Sequence, residues 1–114
     1  MKQMLSSIRK FRDDRDWMQF HDPKNMAISI ILEASELLEH FQWKSKKEVE
    51  AYLKDKKNKK EVEEEIADIA MYLFEMADNM GIDLLKAMDA KLKKNAAKYP
   101  VKKAKGKHTK YNRL

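Results

Sequence analysis

DPKNMAISIILEASELLEHFQ, residues 22–42, is the stretch whose reading decides the fold. Asp22 offers a side-chain acceptor to the first free N–H groups of a helix, and Pro23 stands where a missing N–H costs nothing. From there Met26, Ile30, Leu37 and Phe41 recur at helical spacing, which predicts a helix to about Gln42. Ala27, Ile31, Ala34 and Leu38 widen its apolar face. A face this wide calls for burial between two partners rather than against one.

The flanking sequence repeats the pattern. Met4, Leu5, Ile8 and Phe11 keep one stripe and predict a first helix from about Lys2 to Asp14, after which residues 15–21 lose the period. Ser45 with Glu48 three residues on has the form of a capping box for a short third helix carrying Val49, Tyr52 and Leu53. The run from Lys54 to Lys60 has no apolar member and reads as a solvated connection, with Asn58 and Glu61 repeating the capping signal. A fourth helix is expected from about Lys59 to Met80, with Val62, Ile66, Ile69, Ala70, Leu73 and Ala77 facing inward and Gly81 closing it. Asp83 can cap a fifth, carrying Leu84, Leu85, Met88 and Leu92 and ending before Tyr99-Pro100.

With two Gly and two Pro in 114 residues, the chain lacks the turns a sheet of many short strands needs. The expectation is therefore all-α: a small bundle of four to five helices over residues 1–100, followed by a basic tail, residues 101–114, extended or disordered because it has no packing period. A domain of this length buries roughly 65% of its unfolded surface, enough for one modest core.

Charge is unevenly placed. Residues 86–114 hold eleven basic residues against one acidic, a net of +10, which leaves 14 basic against 18 acidic, or −4, on residues 1–85. An acidic body argues against a nucleic-acid-binding face over the whole molecule, and no aromatic-interleaved basic groove is visible in the tail. No cysteine is present, so disulfide scaffolds, zinc-thiolate sites and thiol catalysis are excluded. No apolar run approaches a membrane span, and a cytoplasmic location is the default expectation.

Four acids need explaining. Glu33 and Glu36 on the second helix, and Glu65 and Asp68 on the fourth, are spaced i,i+3 and set among Ile30, Ile31, Leu37, Leu38, Ile66, Ile69 and Ala70. Carboxylates buried together repel unless a cation lies between them. An all-oxygen donor set suits Mg²⁺ or Mn²⁺, and di-iron bundles normally use Glu-x-x-His, which none of His21, His40 and His108 completes. Spacing alone leaves metal ligation and ordinary boundary carboxylates equally open. Glu39, Glu61, Glu63, Glu64 and Glu75 read as solvated residues.

These strings resemble the MazG-like nucleoside triphosphate pyrophosphohydrolases, an all-helical superfamily that also includes the vertebrate dCTP pyrophosphatases and the dimeric dUTPases. Glu33-x-x-Glu36 is followed after 28 residues by Glu65-x-x-Asp68, and RDWMQFHDPKN (15–25), EASELLEHFQWK (33–44), EEIADIAMYL (64–73) and KNAAKYP (94–100) look like their counterparts in the dCTP pyrophosphatase branch. The resemblance spans roughly residues 4–100. Leu32 stands where many MazG-like proteins have a further acid, a departure that bears on subfamily more than on activity.

The resemblance implies that Glu33, Glu36, Glu65 and Asp68 hold Mg²⁺, with Mn²⁺ as an alternative, and that a nucleoside triphosphate such as dCTP yields monophosphate and pyrophosphate. The acceptor of the attacking water's proton is Glu36 as first choice and Glu33 as second. Trp17, His21, Asn25 and Trp43 would contact the base, and Lys91, Asn95, Lys98 and Tyr99 the phosphates or ribose. Read without the resemblance, the two tryptophans are equally hydrophobic staples at helix ends, and His21 a ring on a backbone carbonyl. The resemblance and the surplus apolar face both imply a homo-oligomer, a tetramer ahead of a dimer. A non-catalytic helical assembly module is the main alternative, and nucleic-acid binding through the basic tail ranks behind it.

Overall fold

A computed structural model describes residues 1–114. Every regular element is helical, and the chain divides into two units, residues 1–81 and 82–114. In the first unit α1 (Lys2–Asp14), a single 3₁₀ turn (Met18–Phe20), α2 (Pro23–Glu39), α3 (Lys46–Lys54) and α4 (Lys56–Asn79) follow one another. α4 is the organising helix: α2 packs along it most extensively, and α1 and α3 each lean on it as well.

The helix ends show why the elements fall where they do. Asp22 accepts the N–H of Asn25 at 2.9 Å with Pro23 at the first helical position, and the Ser45–Glu48 capping box is closed in both directions. Asp55 ends α3 and starts α4, its side chain accepting from the backbone of Lys57 and Asn58. The connection expected over residues 54–60 is therefore mostly helix. Lysine is a good helix former, and Asp55 caps three residues earlier than Asn58, whose side chain donates instead to the Tyr52 carbonyl at 3.1 Å. Gly81 closes α4 with φ +71°, a conformation glycine takes without a steric penalty.

α2 stops at Glu39 rather than Gln42, and the following turn carries Trp43 at φ +69°. His40 Nδ1 meets the Tyr52 hydroxyl at 2.6 Å and Phe41 sits edge-on to the same ring, so the end of α2 is tied to α3 instead of extending. α1 is tied to α4 by the two-pronged pair of Arg9 with Asp78. That contact holds the Asp78 carboxyl below its ordinary range.

The core is small: Ile8, Met26, Val62 and Ala77 are its buried apolar residues, Met26 at 1% exposure. Two residues expected to face inward on α4, Ile66 and Leu73, are exposed, as are Ile31, Leu32 and Leu38 on α2. The helical period was real, but no element of this unit covers these residues.

The second unit holds α5 (Leu84–Lys98), capped by Asp83 on the Lys86 N–H at 3.1 Å, then α6 (Val101–Ala104) and a 3₁₀ turn at Tyr111–Arg113. The helices number six rather than four or five, because Tyr99 leaves the helical region before Pro100 and a single new turn starts after it. The tail is thus not simply extended. Tyr111 packs edge-on to Tyr99 with ring centroids 6.1 Å apart, and Lys98 Nζ lies 4.6 Å from the Tyr111 ring centre.

Candidate active site

Packing α2 along α4 brings three of the four acids together. One carboxylate oxygen from each of Glu33, Glu36 and Glu65 lies within 4.8 Å of the other two. Glu33 and Glu65 are half-buried, and each has one oxygen, Oε2, that is buried without any hydrogen-bond partner. Glu36 is exposed. Burial first, and the neighbouring Glu36 charge second, push the Glu33 carboxyl up to about 7, and burial likewise raises Glu65. Unpartnered buried carboxylate oxygens are costly unless a cation or proton meets them. Hard oxygen donors converging in this way fit a divalent cation. Asp68 stands outside the three-way cluster but shares a cavity wall with Glu33.

That cavity, about 430 Å³, is lined by residues of α1, α2 and α4 and of the segment between α1 and α2. Its size is that of a small-molecule site. Glu33 and Asp68 contribute charge, Phe11, Trp17 and His21 contribute rings, and Tyr72 and Glu75 continue the α4 wall. Asp16 takes a left-handed backbone, φ 53°, which a short polar side chain tolerates. Beyond that reversal, Trp17 meets Phe11 edge-to-face at 5.7 Å and lies 6.5 Å from the His21 ring.

Glu75, expected to be solvated, is 5% exposed. Its Oε2 receives His21 Nδ1 at 2.6 Å and the Asn79 side-chain N–H at 3.0 Å. Asn79 Oδ1 in turn accepts from Arg12 Nη1 at 2.9 Å, and Arg12 is itself buried beside Asp13. The expectation failed because an acid on a polar-rich helix resembles any solvated acid until its partner is known. That partner is 54 residues away in sequence. His21 thus has a carboxylate on its ring rather than the backbone carbonyl considered above.

The remaining expected site residues are placed differently. Asn25 is exposed and turned to local work, its side-chain N–H groups donating to the Phe20 carbonyl and to Asp22 Oδ2 at 3.1 and 2.8 Å. Trp43 is 91% exposed and does not line the cavity, which also excludes its reading as a buried staple. Lys91, Asn95 and Lys98 lie on α5 in the second unit, with Tyr99 just after it.

Two wall residues, Tyr72 and Glu75, were not foreseen as part of the site. The Tyr72 hydroxyl is pushed up chiefly by burial and then by the charges of Glu33, Asp68 and Glu75. The available signal was a polar stripe: Asp68, Tyr72, Glu75 and Asn79 follow at intervals of four, three and four residues, one face of a helix.

Known proteins resemble this chain along most of its length. The chain is 36% identical to rat dCTP pyrophosphatase 1 and 33% to the human protein, the alignments covering 96% of this chain and 67% of each relative. A crystal structure of a pyrophosphatase from Archaeoglobus fulgidus superposes with a TM-score of 0.82 at 46% identity, covering 88% of this chain and 92% of that one. The sequence profile of the MazG-like family matches residues 28–114, so the match includes both acidic half motifs and runs through the basic tail. With its acid-bearing helices packed as described and similarity of this extent along most of its length, the chain belongs to the MazG-like family.

Proposed function

We infer that this MazG-like nucleotide pyrophosphohydrolase acts on dCTP or a closely related pyrimidine nucleotide, converting it to the monophosphate and pyrophosphate with Mg²⁺, or Mn²⁺, as the metal. The observation that carries the reading is the pair of buried, unpartnered oxygens of Glu33 and Glu65 beside Glu36, next to a cavity that also holds aromatic rings. The relatives named dCTP pyrophosphatase 1 support the choice of base.

Glu33, Glu36, Glu65 and Asp68 would hold the cation, whose chemistry is to neutralise phosphate oxygens and make water a better nucleophile. The chain's own groups divide the rest of the work. A carboxylate, Glu36 first and Glu33 second, accepts the proton as water attacks the α-phosphorus and the bond to the pyrophosphate leaving group breaks. The ring of Trp17 covers the base, and His21 meets its edge. Lys91, Asn95, Lys98 and Tyr99 are proposed as phosphate or ribose contacts, and Asn25 and Trp43 as base contacts made when substrate is bound.

The exposed apolar residues Ile31, Leu32, Leu38, Ile66 and Leu73 support a homo-oligomer, with a tetramer ahead of a dimer. No helix is long and apolar enough to cross a membrane, and the cytoplasm is the proposed place of action. The test is a panel of triphosphates with separate detection of pyrophosphate and orthophosphate. Monophosphate with pyrophosphate as first products is expected; diphosphate with orthophosphate overturns the proposed point of attack.

A further inference from the structure

We propose that Glu75 is a positioning residue: it fixes His21 as the tautomer with hydrogen on Nδ1, and so makes Nε2 the acceptor that selects a base carrying an exocyclic amino group. The proposal rests on the functional reading above and adds to it a residue that decides which base is accepted.

The argument begins with the cost of burial. Glu75 is a carboxylate at 5% exposure in a helix with solvent on its far side, and such a group is retained only where its oxygens are well used. Its Oε2 takes two donors, His21 Nδ1 at 2.6 Å and Asn79 Nδ2 at 3.0 Å. An ionised carboxylate accepts but cannot donate, so His21 Nδ1 must carry the hydrogen. Asn79 cannot turn over to relieve this demand, because its Oδ1 is occupied by Arg12 Nη1 at 2.9 Å. Arg12, which cannot lose its charge, thereby sets the direction of every hydrogen bond along the line Arg12, Asn79, Glu75.

On the neutral ring, Nε2 is the atom left over, and it bears a lone pair. His21 lines the cavity beside Trp17, and its side chain keeps 17% exposure. A base stacked near Trp17 therefore meets an acceptor. Cytosine offers an amino hydrogen to such an atom; uracil and thymine present a carbonyl oxygen at the same ring position, and two acceptors facing each other are left unpaired. A site that hydrogen-bonds one group rejects the analogue that cannot reciprocate far more strongly than an apolar pocket does.

Two measurements on the full chain test this. The first is ¹⁵N NMR of His21 in the wild-type protein, read at a pH where the ring-nitrogen shifts themselves report the neutral imidazole: hydrogen on Nδ1 and a lone pair on Nε2 are expected. The opposite tautomer overturns the proposal, with no variant needed. The second compares kcat/KM for dCTP and dUTP in Glu75→Met and Glu75→Gln. Methionine removes the acceptor and frees the ring to place its hydrogen on Nε2, so the dCTP preference should fall by about tenfold or more, carried by KM. Glutamine can still accept from Nδ1 through its carbonyl and should keep the preference within about threefold. A folded Glu75→Met protein with unchanged preference overturns the proposal, and if that variant does not fold, the wild-type tautomer decides. A wild-type chain inactive toward every triphosphate instead overturns the functional reading and base selection with it, and the tautomer then judges the Glu75–His21 geometry by itself.

Discussion

Replacing Glu33 by Gln should stabilise the metal-free protein, and the amount follows from the site. With no cation present, the carboxyl is held at about 7 against an ordinary 4.5. The folded state thus binds the proton more tightly than the unfolded chain does. Stability from this group is fully present below the unfolded value of 4.5 and is lost as pH rises through the folded value near 7. At about 1.4 kcal/mol per pH unit, the full loss is roughly 3 kcal/mol. The side chain is only half-buried, and solvent screening brings this to roughly 1–2 kcal/mol. Glutamine has nearly the same shape and no charge to lose, so at about pH 8 in chelator its Tm should exceed that of the wild type by roughly 5–10 °C, with the gap closing toward about pH 4. Adding Mg²⁺ should reverse the order, because the wild type gains a ligated cation and the variant lacks one donor. Calorimetry at the two pH values, with and without Mg²⁺, reads all four quantities. A variant destabilised equally at both pH values would show that Glu33 is held by packing rather than poised against its neighbours, and the reasoning would fall.

Three further outcomes are expected. Glu36→Gln and Glu65→Gln should each lower turnover by roughly 10²-fold or more while far-ultraviolet dichroism is unchanged, whereas Glu63→Gln should do little; wild-type turnover in Glu36→Gln removes that acid from the mechanism. Trp17→Ala should weaken nucleotide binding in calorimetric titration by roughly 1–3 kcal/mol if the ring covers the base, and unchanged affinity with a lowered Tm assigns the ring to packing against Phe11. Sedimentation at micromolar concentration should show an assembly larger than one chain, and a homogeneous species of 13.5 kDa with full specific activity rules out obligatory assembly.

The sequence was most legible where local chemistry acts alone. α1 spans Lys2–Asp14 as its stripe predicts, and Asp22, Ser45 and Asp83 cap as read, because a cap is decided within four residues of chain. It was less legible where two local solutions compete, as at Asp55 and Asn58, since periodicity is silent in a run without apolar residues. The acidic cluster was visible as two i,i+3 pairs on two helices. Which oxygens would be buried was not, because that depends on how α2 lies along α4. Glu75 marks the limit: its role is set by His21, a contact between parts of the chain that no spacing rule connects. Ile66 and Leu73 show the converse, an apolar period correctly seen on residues that the fold of this unit leaves exposed.

The chain's two tryptophans stand in unlike surroundings, which gives the protein an optical readout of its own. Trp43 projects almost wholly into solvent at the end of α2, so its emission should lie far to the red and be quenched readily by iodide. Trp17 sits on the cavity wall against Phe11 with the His21 imidazole 6.5 Å away, where the ring is partly shielded. With Trp43 changed to Phe, the remaining emission would come from the cavity alone, and filling of that cavity could be followed in real time by an unlabelled chain. With Trp17 changed instead, the surviving signal would report contact at Trp43 in the turn after α2, so one pair of substitutions tells whether a bound base reaches both rings or the cavity ring alone, which a mixed spectrum would superimpose.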